Sequence, residues 1–157
     1  IVLGHACPRC GGDEHGRPYL VPTATLRVPA HVSLARAGGL SVVAITDAGP
    51  VGVDVEVEGA AGFDGFADVA RHPDEDAAAD PTRSWVRTEA LLKACGRGLA
   101  VDPRDVLLDD DGLVSWDSPH PAPDAVRLRD LDVPGHVVAV VVLVGDGADL
   151  AVVLRPV

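Results

Sequence analysis

A strict alternation of apolar and polar residues marks residues 51–57. A valine stands at every odd position, and the positions between hold Gly52, Asp54 and Glu56. This period of two predicts a β-strand with one buried face, and it places Asp54 and Glu56 together on the other face. Two neighbouring carboxylates repel each other unless they are in open water or share a cation. The stretch therefore predicts either a solvated strand face or a site for a hard cation such as Mg²⁺.

Two apolar runs precede this strand, at residues 31–35 and 40–46, and a glycine-rich turn at 37–39 separates them. The pattern predicts a β-hairpin. Only the short turn at 47–50 then leads into the strand at 51. Because a parallel crossover needs a longer connection, we expect the three strands to form an antiparallel meander.

The strongest helical signal covers residues 82–95. Pro81 stands at its start, and Gly96 or Gly98 is placed to end it, as proline and glycine commonly do at the two ends of helices. A weaker helical pattern covers residues 63–70. We expect one long helix and one short helix.

The second half of the chain contains two further strand signals, the apolar runs at 136–144 and 150–154. The turn sequence Asp-Asp-Asp-Gly at 109–112 lies between two short apolar runs. It lacks the spaced ligands of an EF-hand, so it predicts a hairpin turn rather than a calcium site.

A short internal similarity links the two parts of the chain. Residues 39–44 and 135–139 both consist of a glycine followed by a strand through Val-Val-Ala. We therefore expect a single α+β domain made of two pseudo-repeated halves, residues 1–58 and 59–157, in which antiparallel sheets pack with the long helix.

Composition limits the class of protein. A chain of 157 residues with 47% hydrophobic content can bury a core of its own. The net charge of −11 and the 3% aromatic content argue against a nucleic-acid binder. No apolar run is long enough to span a membrane, and three cysteines without a secretory signal predict a reducing, cytoplasmic setting. Because the sequence opens at Ile1 without methionine, we expect further residues upstream.

Cys7 and Cys10 form a C-x-x-C motif, and His15 follows five residues later in a region predicted to be a loop. A structural zinc site has four ligands, and the chain has no second C-x-x-C motif. The motif therefore fits either part of a zinc site or a tight turn that carries two thiols.

Trp85, Glu89 and Lys93 are four residues apart and so share one face of the long helix. Lys93 is the single lysine of the chain. The simplest interpretation is an exposed Glu89–Lys93 pair that stabilises the helix by about 0.2 to 0.5 kcal/mol.

Three motifs in this order resemble those of the Sfp-type 4′-phosphopantetheinyl transferases, which modify the carrier proteins of polyketide and nonribosomal peptide synthesis in secondary metabolism. The family's G-[KR]-P turn, G-[IV]-D-[IVL]-E strand and W-x-x-K-E-x-x-x-K helix are matched at residues 16–18, 52–56 and 85–93. Two positions differ from the family: Thr88 replaces the first helix lysine, and the family's S-H-[ST] segment has Arg36 in place of the histidine. The resemblance covers about residues 7–140.

The resemblance implies an Mg²⁺-dependent transfer of phosphopantetheine from coenzyme A to a serine of an apo acyl or peptidyl carrier protein. It implies that Asp54, Glu56 and Glu89 hold the metal. Glu89 would also take the serine proton, and Lys93 would stabilise the departing phosphate. Coenzyme A would be bound by Arg17, Pro18, Arg36 and Lys93.

The resemblance also implies a monomer. Because carrier domains of this kind are usually acidic, we expect an exposed basic patch of Arg83, Arg87 or Arg97 to face the carrier. The alternative is a relative that keeps the scaffold but has lost the transfer reaction, and that serves as a coenzyme A-binding or regulatory protein or as a repurposed biosynthetic enzyme.

Overall fold

Two elements form the centre of the fold, strand β5 (Val51–Val57) and helix α2 (Pro81–Ala94). The computed structural model describes residues 2–7, 10–22, 30–145 and 151–155. The other elements are β1 (Leu3–Ala6), β2 (Arg17–Leu20), β3 (His31–Ala37), β4 (Leu40–Thr46), α1 (Phe66–Ala70), β6 (Val106–Leu108), β7 (Leu113–Trp116), β8 (Arg127–Val133) and β9 (His136–Val142). The architecture is α+β, as predicted, and every strand pairing in the described residues is antiparallel.

Strand β5 pairs with β9 at the edge of a three-stranded sheet of order β5-β9-β8. The predicted meander is therefore wrong, because β4 pairs only with β3 in this part of the chain. Burial explains the choice of partner. The first five residues of β5 are all buried, whereas β4 alternates between partly buried and exposed positions. The last five residues of β9 are also buried, so β9 can pair with β5 without bringing polar or exposed side chains into the core.

Strand β3 lies along the open edge of β5 without forming a backbone ladder. The backbone N–H of Val53 donates a hydrogen bond of 3.0 Å to the Ser33 hydroxyl oxygen. Five residues further along the chain, in the turn that follows β3, Gly38 lies against the Val57 side chain. The two strands therefore run in the same direction, and residues of β3 can be placed level with those of β5.

Helix α2 begins and ends as its sequence predicts. Asp80 caps the start by accepting a hydrogen bond of 3.0 Å from the Thr82 N–H, and Pro81 occupies the first helical position. After Cys95 the chain turns away at Gly96, whose φ is 67°. The apolar face of the helix packs on the sheet to form the largest core cluster, which includes Val86, Leu91 and Val141.

Gly52 lets the helix lie directly on strand β5. A Cβ atom at this position would overlap the carbonyl oxygen of Ala90 and would lie 2.5 Å from the backbone nitrogen of Ala94. These are backbone atoms, which cannot move aside as a flexible side chain can. No residue with a side chain fits at position 52 without moving the helix. Gly52 therefore sets the distance between β5, with its acidic side chains, and helix α2.

The internal similarity corresponds to two hairpins of the same size. Strands β3 and β4 have 7 residues each, as have β8 and β9. Each hairpin has a two-residue turn, and the glycines that open the similar segments, Gly39 and Gly135, have φ values of 82° and 74°. Matching hairpins account for the similarity, and the division into two halves stays a prediction.

Three local predictions need correction. The segment predicted to be a loop before residue 19 contains the hairpin β1–β2. The predicted helix at 63–70 is shorter, since α1 begins at Phe66. Residues 151–155 form no strand, although 151–154 line a groove with β4 and β5, and Leu150 lies outside the described residues. The predicted hairpin turn at 109–112 is confirmed between β6 and β7.

No helix in the described part of the chain is both long enough and apolar enough to cross a membrane.

We expect Gly52→Ala to lower the free energy of unfolding by about 1 to 3 kcal/mol, because the added methyl group must push α2 away from β5. Chemical denaturation monitored by circular dichroism measures the change. The matched control is Gly145→Ala, since a Cβ at Gly145 would meet no atom of the described residues within 4 Å. Equal stability of the two variants would contradict the assigned role of Gly52.

Candidate functional site

Strand β5 and helix α2 bring four charged side chains together: Asp54, Glu56, Glu89 and Lys93. Asp54 and Glu56 project from the polar face of β5. Lys93 reaches back from the helix so that its Nζ lies 2.5 Å from Asp54 Oδ1 and 3.3 Å from the carbonyl oxygen of Val53. The helix therefore contributes one ammonium group to a site that contains three carboxylates.

The three carboxylates influence one another through their charges. The pKa of Asp54 is raised by burial, although the nearby Lys93 ammonium opposes this shift. Burial also raises the pKa of Glu56 and of Glu89, and the negative charge of Asp54 adds to both shifts. A single ammonium group therefore does not neutralise the site, and the ionised site carries uncompensated negative charge.

One oxygen of the site has no partner. Asp54 Oδ2 is buried and has no hydrogen-bond partner of good geometry among the described residues, while Oδ1 is bound by Lys93. The Val55 backbone N–H is close enough to the carboxylate to lower its pKa, but this effect is smaller than that of burial. A buried carboxylate oxygen without a partner is costly, and a divalent cation is a suitable partner for it. The arrangement fits a cation that binds Asp54 together with Glu56 or Glu89 and takes its remaining oxygens from water or a phosphate.

The carboxylates do not form a closed metal cage. Among the described residues, only Cys7, Cys10 and His15 have ligand atoms that all lie within 4.8 Å of one another. The assignment of Asp54, Glu56 and Glu89 as a metal site therefore stays a prediction. An open arrangement is typical of Mg²⁺, which often binds only one or two protein carboxylates beside substrate phosphates.

Arg36 lies on the same side of the fold as the acidic side chains. Its neighbour Ala35 packs with Val53 in an apolar cluster, and successive side chains of a strand point to opposite faces. Arg36 therefore faces the side of Asp54 and Glu56, at about the level of Glu56 along β5. It is exposed, and it forms no ion pair within the described residues.

Arg17 lies at the C-terminal end of helix α2. A Cβ at Gly96 would be 2.7 Å from Arg17 Nη1. Burial raises the pKa of the Cys95 thiol, and the positive charges of Arg97 and Arg17 oppose this shift. Gly96 follows Lys93 by three residues. Arg17 and Pro18 also line a cavity of about 290 Å³ together with part of β3. The predicted Gly-Arg-Pro turn thus meets the end of the helix that carries Glu89 and Lys93.

The predicted basic patch is smaller than expected. Arg87 is buried, and its Nη2 lies 2.6 Å from Asp130 Oδ2 and 2.7 Å from Asp110 Oδ1. Arg87 is therefore not part of an exposed patch. Arg83 is half exposed and binds Asp130, and Arg97 Nη1 lies 3.4 Å from a ring nitrogen of His120.

Thr88, which replaces the family's lysine, is buried, so this position of α2 presents no charge to the acidic site. The neighbouring cation, Arg87, is paired with Asp110 and Asp130 instead. Lys93 is thus the only cation of helix α2 that the described residues show in contact with Asp54.

An apolar pocket next to the acidic site was not predicted. Its volume is about 440 Å³, and it opens beside Glu56 between helix α1 and Trp85 of helix α2. Three aromatic rings line it in edge-on contacts, with Phe66 5.8 Å from Phe63 and 6.2 Å from Trp85. The aromatic residues at 63, 66 and 85 are visible in the sequence, but only the packing of α1 on α2 brings them together.

No model of a known protein family matches the chain, and no curated protein matches it.

We expect Glu89→Gln to stabilise the metal-free protein at pH 7, because it removes a charge that Asp54 and Glu56 repel. The pKa of Glu89 is raised in the folded chain above its ordinary value of 4.5, so the folded state binds more protons than the unfolded state above that pH. Stability from this group is therefore greatest below pH 4.5 and is lost as pH rises. The stabilisation by Glu89→Gln should accordingly shrink as pH falls towards 4.5, as thermal unfolding in chelator can show.

Glu58→Gln is the control, since Glu58 is an exposed carboxylate just beyond the end of β5. Because Glu58 lies outside the group of three carboxylates, Glu58→Gln should not reproduce the stabilisation expected for Glu89→Gln. Identical pH profiles for the wild type and Glu89→Gln would show that the carboxylates do not interact.

Proposed function

We propose that this chain transfers 4′-phosphopantetheine from coenzyme A to the serine of an apo acyl or peptidyl carrier protein. The observation that carries the proposal is the meeting of the strand motif and the helix motif at one site, where Asp54 Oδ2 has no well-placed hydrogen-bond partner in the part of the chain that the structure describes. Motifs separated by thirty residues of sequence thereby supply one set of charged groups. The family's fold of two pseudo-repeated halves is part of the proposal, and the matching hairpins β3–β4 and β8–β9 support it.

Glu89 is suited to accept the proton of the carrier serine. Its half-buried position beside Asp54 and Glu56 raises the pKa of its carboxyl, so it is a stronger base than an exposed glutamate. The serine oxygen then forms a bond to the β-phosphorus of coenzyme A. The bond from that phosphorus to the bridging oxygen breaks, and 3′,5′-ADP leaves. A bound Mg²⁺ would supply charge neutralisation at the pyrophosphate.

Lys93 can serve two negative groups in turn. Its ammonium is bound to Asp54 in the absence of substrate, and a side-chain exposure of 30% leaves it accessible from the solvent side. A flexible ammonium can turn towards a phosphate oxygen while a cation takes its place at Asp54. Lys93 would then stabilise the charge that develops on the leaving phosphate.

Two arginines can hold the nucleotide part of coenzyme A. Arg36, exposed and level with Glu56, can bind two phosphate oxygens at once through its planar guanidinium. Arg17 and Pro18 line the neighbouring cavity at the end of α2. The apolar pocket beside Glu56 is suited to bind the uncharged pantetheine arm of coenzyme A or an apolar side chain of the carrier.

A second candidate function is coenzyme A binding without transfer. The burial of Thr88 favours it, because the helix lacks the additional cation that the family places there. In that case the chain would be a binding or regulatory protein with the transferase scaffold.

Intact-mass spectrometry of several apo carrier proteins tests the proposal. With the chain, coenzyme A and Mg²⁺, we expect a carrier to gain the mass of one phosphopantetheine group, and we expect chelator to prevent it. Glu89→Gln should slow the reaction by about 10² or more, the usual contribution of a positioned base. Coenzyme A binding in calorimetry without modification of any carrier would favour the second function.

Arg36 and Lys93 should have separable roles. We expect Arg36→Ala mainly to weaken coenzyme A binding and so to raise KM. Lys93→Ala should mainly lower kcat, by about 10² to 10³ if it resembles the loss of one preorganised donor. Steady-state kinetics with carrier protein measures both parameters. An unchanged KM in Arg36→Ala, or an unchanged kcat in Lys93→Ala, would contradict the assignment.

A further inference from the structure

The loop between β1 and β2 brings three soft metal ligands together. The Sγ atoms of Cys7 and Cys10 and a ring nitrogen of His15 all lie within 4.8 Å of one another. Cys10 Sγ and His15 Nε2 are 3.3 Å apart. Thiolate sulfur and imidazole nitrogen are the ligands that Zn²⁺ prefers, and zinc binds them in a tetrahedral arrangement.

Backbone groups of Cys7 and Gly12 contribute to the arrangement of these side chains. The Gly12 N–H lies 3.4 Å from Cys10 Sγ, which it approaches as a donor, and the Cys7 N–H donates to the Gly12 carbonyl at 2.9 Å. A Cβ at Gly12 would lie 3.2 Å from Cys10 Sγ and 3.4 Å from the His15 ring, so a side chain there would press on two of the three ligands.

Gly16 closes the loop behind His15. Its φ is 101°, and a Cβ at this position would overlap the Ala6 carbonyl and lie 2.7 Å from Cys7 Cα. The next residue, Arg17, begins β2 and reaches the end of helix α2. The position of this arginine therefore depends on the conformation of the loop.

The described part of the loop from residue 10 onwards buries no apolar side chain. Within residues 10–17, every side chain is exposed or only partly buried. A loop without buried apolar contacts has little conformational stability of its own, and a bound metal can stabilise a single conformation.

We propose that Cys7, Cys10 and His15 bind one Zn²⁺ ion, which fixes the β1–β2 loop and with it the position of Arg17. Water takes the fourth coordination position. This site is separate from the acidic site on β5 and α2, and it uses soft ligands instead of oxygens. The zinc site does not depend on the proposed transferase activity.

Cobalt substitution tests the proposal without any activity assay. The reduced, metal-free protein is titrated with Co²⁺, and the absorption spectrum is recorded. We expect one Co²⁺ per chain, a thiolate-to-cobalt charge-transfer band and the intense visible bands of tetrahedral cobalt, all of which Zn²⁺ should abolish by displacement. The protein purified without added metal should contain about one zinc per chain by elemental analysis.

Variants locate the site. Cys10→Ser should remove the charge-transfer band or weaken it strongly, and His15→Gln should weaken Co²⁺ binding more than about tenfold, since even an outer-shell partner has effects on that scale. Both residues are exposed, so the variants should fold. The matched control is Cys95→Ser, because Cys95 follows the end of α2 and is outside the cluster.

Three results would overturn the proposal. The first is a cobalt spectrum without thiolate bands, and the second is an equal loss of binding in Cys95→Ser and Cys10→Ser. The third is a Cys7–Cys10 disulfide in the purified protein that, once reduced, binds no metal. Retention of one tightly bound zinc in wild type and Cys95→Ser, but not in Cys10→Ser, would establish the site.

Discussion

The direct contact between the backbone of β5 and helix α2 at Gly52 determines the rest of the site. Because no side chain separates the two elements there, the helix lies close enough for Lys93 to reach Asp54 and for Glu89 to interact with both strand carboxylates. The same contact allows the apolar face of the helix to join the core with β9. Glycine at position 52 thus allows both the close packing of the helix on the sheet and the contacts among the charged side chains.

The charge balance of the site is unfavourable for a purely structural cluster. Three carboxylates with raised pKa values surround one ammonium group, and one buried oxygen has no partner among the described residues. A structural ion pair would be expected to satisfy its buried atoms. Groups held in an unfavourable arrangement are typical of sites whose missing partner is a ligand. By contrast, the buried Arg87 donates hydrogen bonds to the carboxylates of both Asp110 and Asp130.

The sequence was sufficient for features that depend on local pattern. Alternation predicted β5, the proline and glycine signals predicted α2 within about one residue at each end, and helical spacing placed Glu89 and Lys93 on one face. Pairing was not predictable in this way, because β4 and β9 are both apolar strands and only three-dimensional burial selects β9. Arg87 was misjudged for a related reason, since its partners Asp110 and Asp130 are distant in sequence. The proximity of His15 to both cysteines likewise depends on the closure of the loop at Gly16.

Anomalous diffraction from crystals grown with Mn²⁺ and coenzyme A tests whether the three carboxylates hold a metal, because Mn²⁺ replaces Mg²⁺ at oxygen sites and its anomalous signal locates it. We expect a manganese peak within bonding distance of Asp54 Oδ2 and of Glu56 or Glu89, with the Lys93 ammonium moved away from Asp54. Manganese absent from these carboxylates, with coenzyme A bound and Lys93 still paired to Asp54, would contradict this expectation.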